Sequence, residues 1–204
     1  MDIATLGFWA LLIILVIGIF AAFFKLFEKS KPTVESIVVI ALLIAIAIIG
    51  TLPTSAVPGL QIASFIIIMT GIVFGRQTGF ITGVLTPVVI GLFAGLGFWT
   101  LFQMVGFGLM GFTAGLFAEK LDSNPYLRAG FGFIWGLLYG WITNISMFPF
   151  LQEINVNTIL GVYAASAVFD VIHGVVTAIL LVALFGLFKR IFSRAKDKYF
   201  AANA

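Results

Sequence analysis

Residues 35–52 read ESIVVIALLIAIAIIGTL, and residues 53–59, PTSAVPG, bring them to a stop. The first stretch is apolar on every side, with no alternation of apolar and polar positions. Strands of a membrane barrel alternate the two, so a helix is predicted, lying in hydrocarbon or among other helices. Pro53 and Pro58 cannot continue that helix, because proline lacks the N–H and clashes with the preceding turn.

The same pattern recurs along the whole chain. Apolar runs cover 6–27, 35–52, 62–76, 78–96, 99–118, 128–148 and 158–188, and a span needs about 20 such residues. Lys29, Lys31 and Pro32 close the first run, and Arg76-Gln77 divides the third from the fourth. Gly95 and Gly97 separate the fourth from the fifth, and Asp122 to Pro125 form a strong turn signal. Pro149 closes the sixth, and Asn155 to Asn157 supply an N-cap for the seventh.

Composition agrees. Of 204 residues 62% are apolar and 9% charged, and mean hydropathy is +1.21. Soluble domains carry roughly a quarter charged residues, so this chain has too few to cover a water-facing surface. The expected fold is all-α, a polytopic membrane bundle. The 22 glycines suit close helix contacts, and Gly132-Gly136-Gly140 and Gly111-Gly115 each lie along one helix face. With no cysteine, disulfide and thiolate chemistry are excluded. A net charge of +3, widely dispersed, gives no footprint for nucleic acid.

Charge also sets an expected orientation. With the N-terminus outside, all 11 basic residues fall on the cytoplasmic side, as the positive-inside rule demands. They are Lys25, Lys29, Lys31, Arg76, Lys120, Arg128, Lys189, Arg190, Arg194, Lys196 and Lys198. Seven spans satisfy this, with the third short enough to lie half-buried. The chain begins Met1-Asp2 and has no lysine before Lys25. A cleaved signal needs a positive start, so the first run is expected to stay as a membrane helix. The organisation expected is residues 1–34, a first helix with a basic loop; 35–192, a membrane core; and 193–204, a basic tail anchored at anionic headgroups.

Few groups remain for chemistry inside the membrane. Asp170 and His173 are the ionisable pair within an apolar run, three apart and so on one helix face. Nineteen residues separate Asp170 from Lys189, about 28 Å of helix, which puts Asp170 in the outer part of the layer. The pair either lines a cavity open to the outside or forms a helix–helix hydrogen bond. Thr86, Thr100, Gln103, Tyr139, Thr143 and Asn144 are possible partners. Trp99 and Trp141 fit an interfacial aromatic belt, while Trp99-Thr100 with Gln103 opens a helix after a glycine-rich turn where a ligand can approach backbone. There is no G-x-x-x-x-G-K-[ST] loop for ATP, no H-E-x-x-H, and a single histidine, so neither an enzyme nor a metal site is expected, and no cofactor.

Five segments in order carry a resemblance: 75–80 (GRQTGF), 95–104 (GLGFWTLFQM), 108–116 (GLMGFTAGL), 138–144 (LYGWITN) and 169–173 (FDVIH). Together they resemble the substrate-binding S components of energy-coupling factor (ECF) transporters, especially the branch linked to cobalamin-type vitamins. The resemblance covers about residues 36–192. It implies a six-helix core that captures a vitamin beneath the loops 52–61, 95–99 and 148–157, with Trp99, Thr100, Gln103, Tyr139, Asn144, Asp170 and His173 as candidate binding residues. It also implies that Ala41 and Ala45 form the small-residue surface that meets a transmembrane coupling subunit, with two cytosolic ATPases completing the complex. Helix 6–27 is an addition to that six-helix pattern. Cobalamin is the first expectation for the substrate, and a queuosine precursor or another vitamin the second. The contrasting class is a stand-alone proton-coupled carrier that uses Asp170 and His173 as its relay. Such carriers often contain repeats, and no internal repeat is visible.

Overall fold

The computed structural model describes residues 3–29 and 32–200. Lys31 and residues 201–204 of the expected tail lie outside the described residues. The chain divides between Pro32 and Thr33 into two compact units. The first holds α1 (Ile3–Lys29), a single apolar helix. The second holds α2 (Val34–Thr51), α3 (Ile62–Phe74), α4 (Arg76–Ala94), α5 (Phe98–Leu116), α6 (Ala118–Ser123), α7 (Pro125–Asn144), a short 3-10 turn (Ile145–Phe150), α8 (Val156–Ala183) and α9 (Phe185–Tyr199). No strand occurs among the described residues, and the fold is an all-helical membrane bundle.

Side-chain caps set the helix starts. Thr33 accepts from the Ser36 N–H at 3.2 Å to begin α2. Asn124 accepts from the Tyr126 and Leu127 N–H groups at 2.9 and 3.1 Å, with Pro125 in the first turn of α7. Asn155 and Thr158 cap one another's backbone at the start of α8. The first turn of α3 borrows its cap from another helix: the Thr51 hydroxyl accepts from the Ala63 N–H at 2.9 Å.

Among the described residues, six helical stretches are long and apolar enough to cross a membrane: Trp9–Lys29, Val34–Thr51, Arg76–Ala94, Phe98–Leu116, Pro125–Phe150 and Val156–Ala183. The seventh run, 62–76, is shorter. Its helix α3 has 13 residues, roughly 20 Å of rise against a hydrocarbon core of about 30 Å. It can be short because protein surrounds it: α3 touches α2, α4, α5, α6, α7, α8 and α9. Phe65, Ile66, Ile67, Ile68 and Met69 are all sealed from solvent. Gly75, at φ 93°, is the single residue joining α3 to α4, a backbone conformation that favours glycine.

Small residues bring the helices together. Gly136 of α7 lies against the backbone of Gly174 of α8, and Gly111 of α5 against that of Gly79 of α4; a methyl group at either would collide with main chain. The glycine faces seen in the sequence are therefore internal seams.

The structure alters the last run. Residues 158–188 are not one helix, because α8 ends at Ala183 and α9 begins at Phe185. Arg128 accounts for the joint. It is buried in the first turn of α7, whereas the sequence marks it only as one of the basic residues expected on the cytoplasmic side. Its Nε donates to the Leu181 carbonyl at 3.1 Å and its Nη1 to the Leu121 carbonyl at 2.8 Å. Its guanidinium lies 3.5 Å above the Phe185 ring. Lys189 of α9 then bonds Asp122 at 2.7 Å. Beyond the joint, Phe188 and Phe192 pack on Phe65 and Phe74 of α3, so residues 185–199 are a docked helix.

Chain alternation in the second unit places residues 52–61, 95–97 and 145–155 at one end of the bundle. Arg76, α6, Arg128 and Lys189 lie at the other, the basic end.

Candidate functional site

The α7–α8 seam creates the site. Gly140 leaves a space on α7 that the Asp170 carboxylate of α8 fills, and a methyl group there would run into the carboxylate. Asp170 is 1% exposed. Its Oδ2 accepts from the Ser166 hydroxyl at 2.8 Å, and Ser166 accepts from the Asn144 amide at 2.7 Å. Its Oδ1 is buried with no hydrogen-bond partner among the described residues. A carboxylate held in apolar surroundings is costly, and such groups normally face a wet or ligand-bearing interior.

One turn along α8, His173 is fully buried. Its Nε2 lies 2.6 Å from the Ser64 hydroxyl of α3, and its Nδ1 has no partner among the described residues. Its ring meets Tyr139 edge-on at 5.2 Å. Tyr139 in turn stacks on Phe107 of α5 at 4.2 Å, and its hydroxyl interacts with the side chains of Gln61, Thr143 and Gln103. Four core helices and the first loop thus meet at one polar cluster inside an otherwise apolar bundle.

Loops cover this cluster. Gly59, at φ 81°, sits against Ile172 and the Phe169 carbonyl of α8. Thr54 ties the first loop together by donating to the Leu60 carbonyl at 3.2 Å. Phe98 at the start of α5 meets Phe150 of the third loop at 6.3 Å.

The residues singled out from sequence divide into two groups. Gln103, Tyr139, Asn144, Asp170 and His173 come together. Asp170 and His173 share a face as expected, yet no hydrogen bond joins them: one is tied to α7 through Ser166, the other to α3 through Ser64. Trp99 and Thr100 stand apart. The Thr100 hydroxyl accepts from the Gly97 N–H at 3.1 Å and caps α5, while Trp99 is half-exposed and folds its ring over Gly97. Thr86 donates to the Thr82 carbonyl of its own helix at 2.6 Å. Trp141 is exposed, and its carbonyl accepts from the Tyr163 hydroxyl at 3.3 Å.

Sequence reasoning missed Ser64, Gln61 and Ser166. Ser166 was within reach, since it lies four residues before Asp170 and so on the same helix face. Ser64 is 109 residues from His173, and no local signal joins them. The small-residue pair on α2 is outward-facing: Ala41 is exposed and Ala45 half-buried, among the exposed Val38, Leu42 and Ile49.

The family model described as ECF-type riboflavin transporter, S component, matches residues 31–190. The chain belongs to that family. Among curated proteins and among solved structures there is no significant match. As an ECF S component the chain is a membrane subunit of a transporter and not itself an enzyme. The matched region takes in α2 to α8 and leaves out α1, the helix that the resemblance marked as an addition. The family is named for riboflavin, so the match does not extend to the cobalamin-type branch that the order of motifs resembles.

Proposed function

We propose that this S component captures a small, flat, hydrogen-bonding vitamin of the riboflavin type beneath its three loops and delivers it for ATP-driven uptake. The observation that carries the reading is the buried cluster of Tyr139, Asp170 and His173. Asp170 Oδ1 and His173 Nδ1 are buried and have no partner among the described residues, so they supply polar contacts that a ligand would satisfy. The stacked Tyr139 and Phe107 rings, sealed within the bundle, are an aromatic pair of the kind beside which a heterocycle stacks. Burying a polar group without a partner costs on the order of 1–3 kcal/mol, so a ligand that pairs with both atoms gains affinity and specificity together. The family description supports the same class.

Cobalamin is the second reading, favoured by the 95–104 segment with Trp99 and Gln103. The family description, which names riboflavin, favours the flat vitamin. The stand-alone carrier draws no support from family membership, and Asp170 and His173 do not form a bonded relay.

In this proposal the N-terminus and the three loops face outward, and the basic end faces the cytoplasm, where a coupling subunit and two ATPases act. Ala41 and Ala45 on the exposed face of α2 meet the coupling subunit. Two measurements test this. Purified protein titrated with riboflavin and with cobalamin should show saturable binding of riboflavin, lost in Asp170→Ala and His173→Ala variants. Binding of cobalamin alone, or riboflavin binding unchanged in both variants, would refute the assignment. Ala41→Trp should abolish co-purification of the coupling subunit while vitamin binding persists; an intact complex would refute the docking face.

A further inference from the structure

We infer that the groove on the outer side of α6 and α7 seats one anionic phospholipid, with its phosphate at Lys120 and an acyl chain along Gly130. The groove has a volume of about 340 Å³, and its walls include Phe117, Leu127, Phe131 and Ile134. Lys120 is the single charged residue in its lining. That lysine has no ion-pair partner among the described residues, where Lys189 takes the neighbouring Asp122. Glu119, the adjacent acid, is absent from this lining; it lines one groove with Asp122, Lys189 and Lys196 and another beside Lys120.

Gly130 makes the hollow. It is exposed, and a methyl group built on it would meet nothing within 4 Å. Beside it Leu127 and Ile134 stand out from the same helix, 52% and 55% exposed. A glycine in a helix interior is unfavourable relative to alanine, and here no close helix contact requires it. From Tyr126 to Ile134 the trench runs roughly 12 Å along α7 at helical rise. One leaflet's share of the hydrocarbon is about 15 Å, so the trench is long enough for most of an acyl chain. Tyr126, 87% exposed at the same end as Lys120, has the amphipathic ring that favours the headgroup level.

A lipid fits this surface better than a protein helix. The lining is an apolar trench with a single cation at one end, which mirrors an amphiphile with one apolar chain and one anionic head. A partner helix would be expected to find small residues for backbone approach along a whole face, and only Gly130 is small here.

The test uses purified full-length protein in nanodiscs or detergent supplied with phosphatidylglycerol or phosphatidylcholine, with retained lipid counted by native mass spectrometry. Wild-type protein should retain one phosphatidylglycerol in preference to phosphatidylcholine. Lys120→Gln, a change at an exposed position, should cut that preference about fivefold, the effect of one lysine near a headgroup. Gly130→Leu fills the trench without a local clash and should abolish retention of either lipid while the vitamin still binds. Equal retention of the two lipids by wild type would overturn the inference, as would undiminished retention in Gly130→Leu. Loss of the coupling subunit from Gly130→Leu with lipid retention unchanged would assign the groove to that protein instead and overturn it as well.

Discussion

Gly140→Ala tests the geometry of the buried site most directly. The added methyl group enters the space held by the Asp170 carboxylate. That carboxylate is 1% exposed and cannot swing into solvent, so either it leaves its rotamer or α8 moves away from α7. Overpacking of this kind costs about 1–3 kcal/mol. The displaced carboxylate also gives up the 2.8 Å bond from Ser166, and hydrogen bonds to charged groups contribute about 1.5–3 kcal/mol. The two penalties overlap, because a rotated carboxylate escapes the clash by breaking the bond, so the expected loss is about 2–4 kcal/mol. The decisive arm is a double-mutant cycle. In an Asp170→Ala background the obstruction is gone, and Gly140→Ala should cost less than about 0.5 kcal/mol, the usual margin for independent sites. Reversible unfolding of the purified protein in mixed micelles gives all four stabilities. A penalty for Gly140→Ala of equal size in both backgrounds would refute the reasoning, since the methyl group would then be colliding with something other than Asp170.

Two further outcomes follow from single contacts. Ser64→Ala removes the group 2.6 Å from His173 Nε2 and leaves a second buried ring nitrogen unpartnered. Riboflavin affinity should fall about tenfold, the equivalent of one hydrogen bond of about 1.4 kcal/mol, as read by equilibrium titration; unchanged affinity would detach Ser64 from the site. Arg128→Met deletes the donors to Leu181 and Leu121 and the stack on Phe185. It should lower stability by about 2–4 kcal/mol and raise the rate of protease cleavage between Leu184 and Phe185, with no such rise in Lys198→Met.

Helicity and the seven apolar runs were legible because both rest on local chemistry. An apolar run without alternation can satisfy its backbone in lipid only as a helix, and Pro53, Asn124 and Asn155 stop or start helices through their own backbones and side chains. The Asp170–His173 face was legible for the same reason, since spacing along one helix fixes a shared face. The partners were not legible. Ser64, Gln61 and Gly140 matter only once α3, the first loop and α7 close around α8, and each is an ordinary residue where it stands in the chain. Arg128 counts in the sequence only as a basic residue of the cytoplasmic side; its burial depends on carbonyls of Leu121 and Leu181 that only the packed helices bring within reach.

By itself the sequence determined an all-helical membrane protein, the places where its helices break, and a family resemblance carried by five ordered segments, because each of these follows from residues near one another in the chain. Tertiary structure decided that α3 can be short, that α9 docks and does not trail, and that an acid, a histidine and a tyrosine from two helices form one polar cluster. Those outcomes rest on which apolar surfaces meet across more than a hundred residues of chain, and glycine seams and buried hydrogen bonds acquire their energies only when the distant partner has arrived.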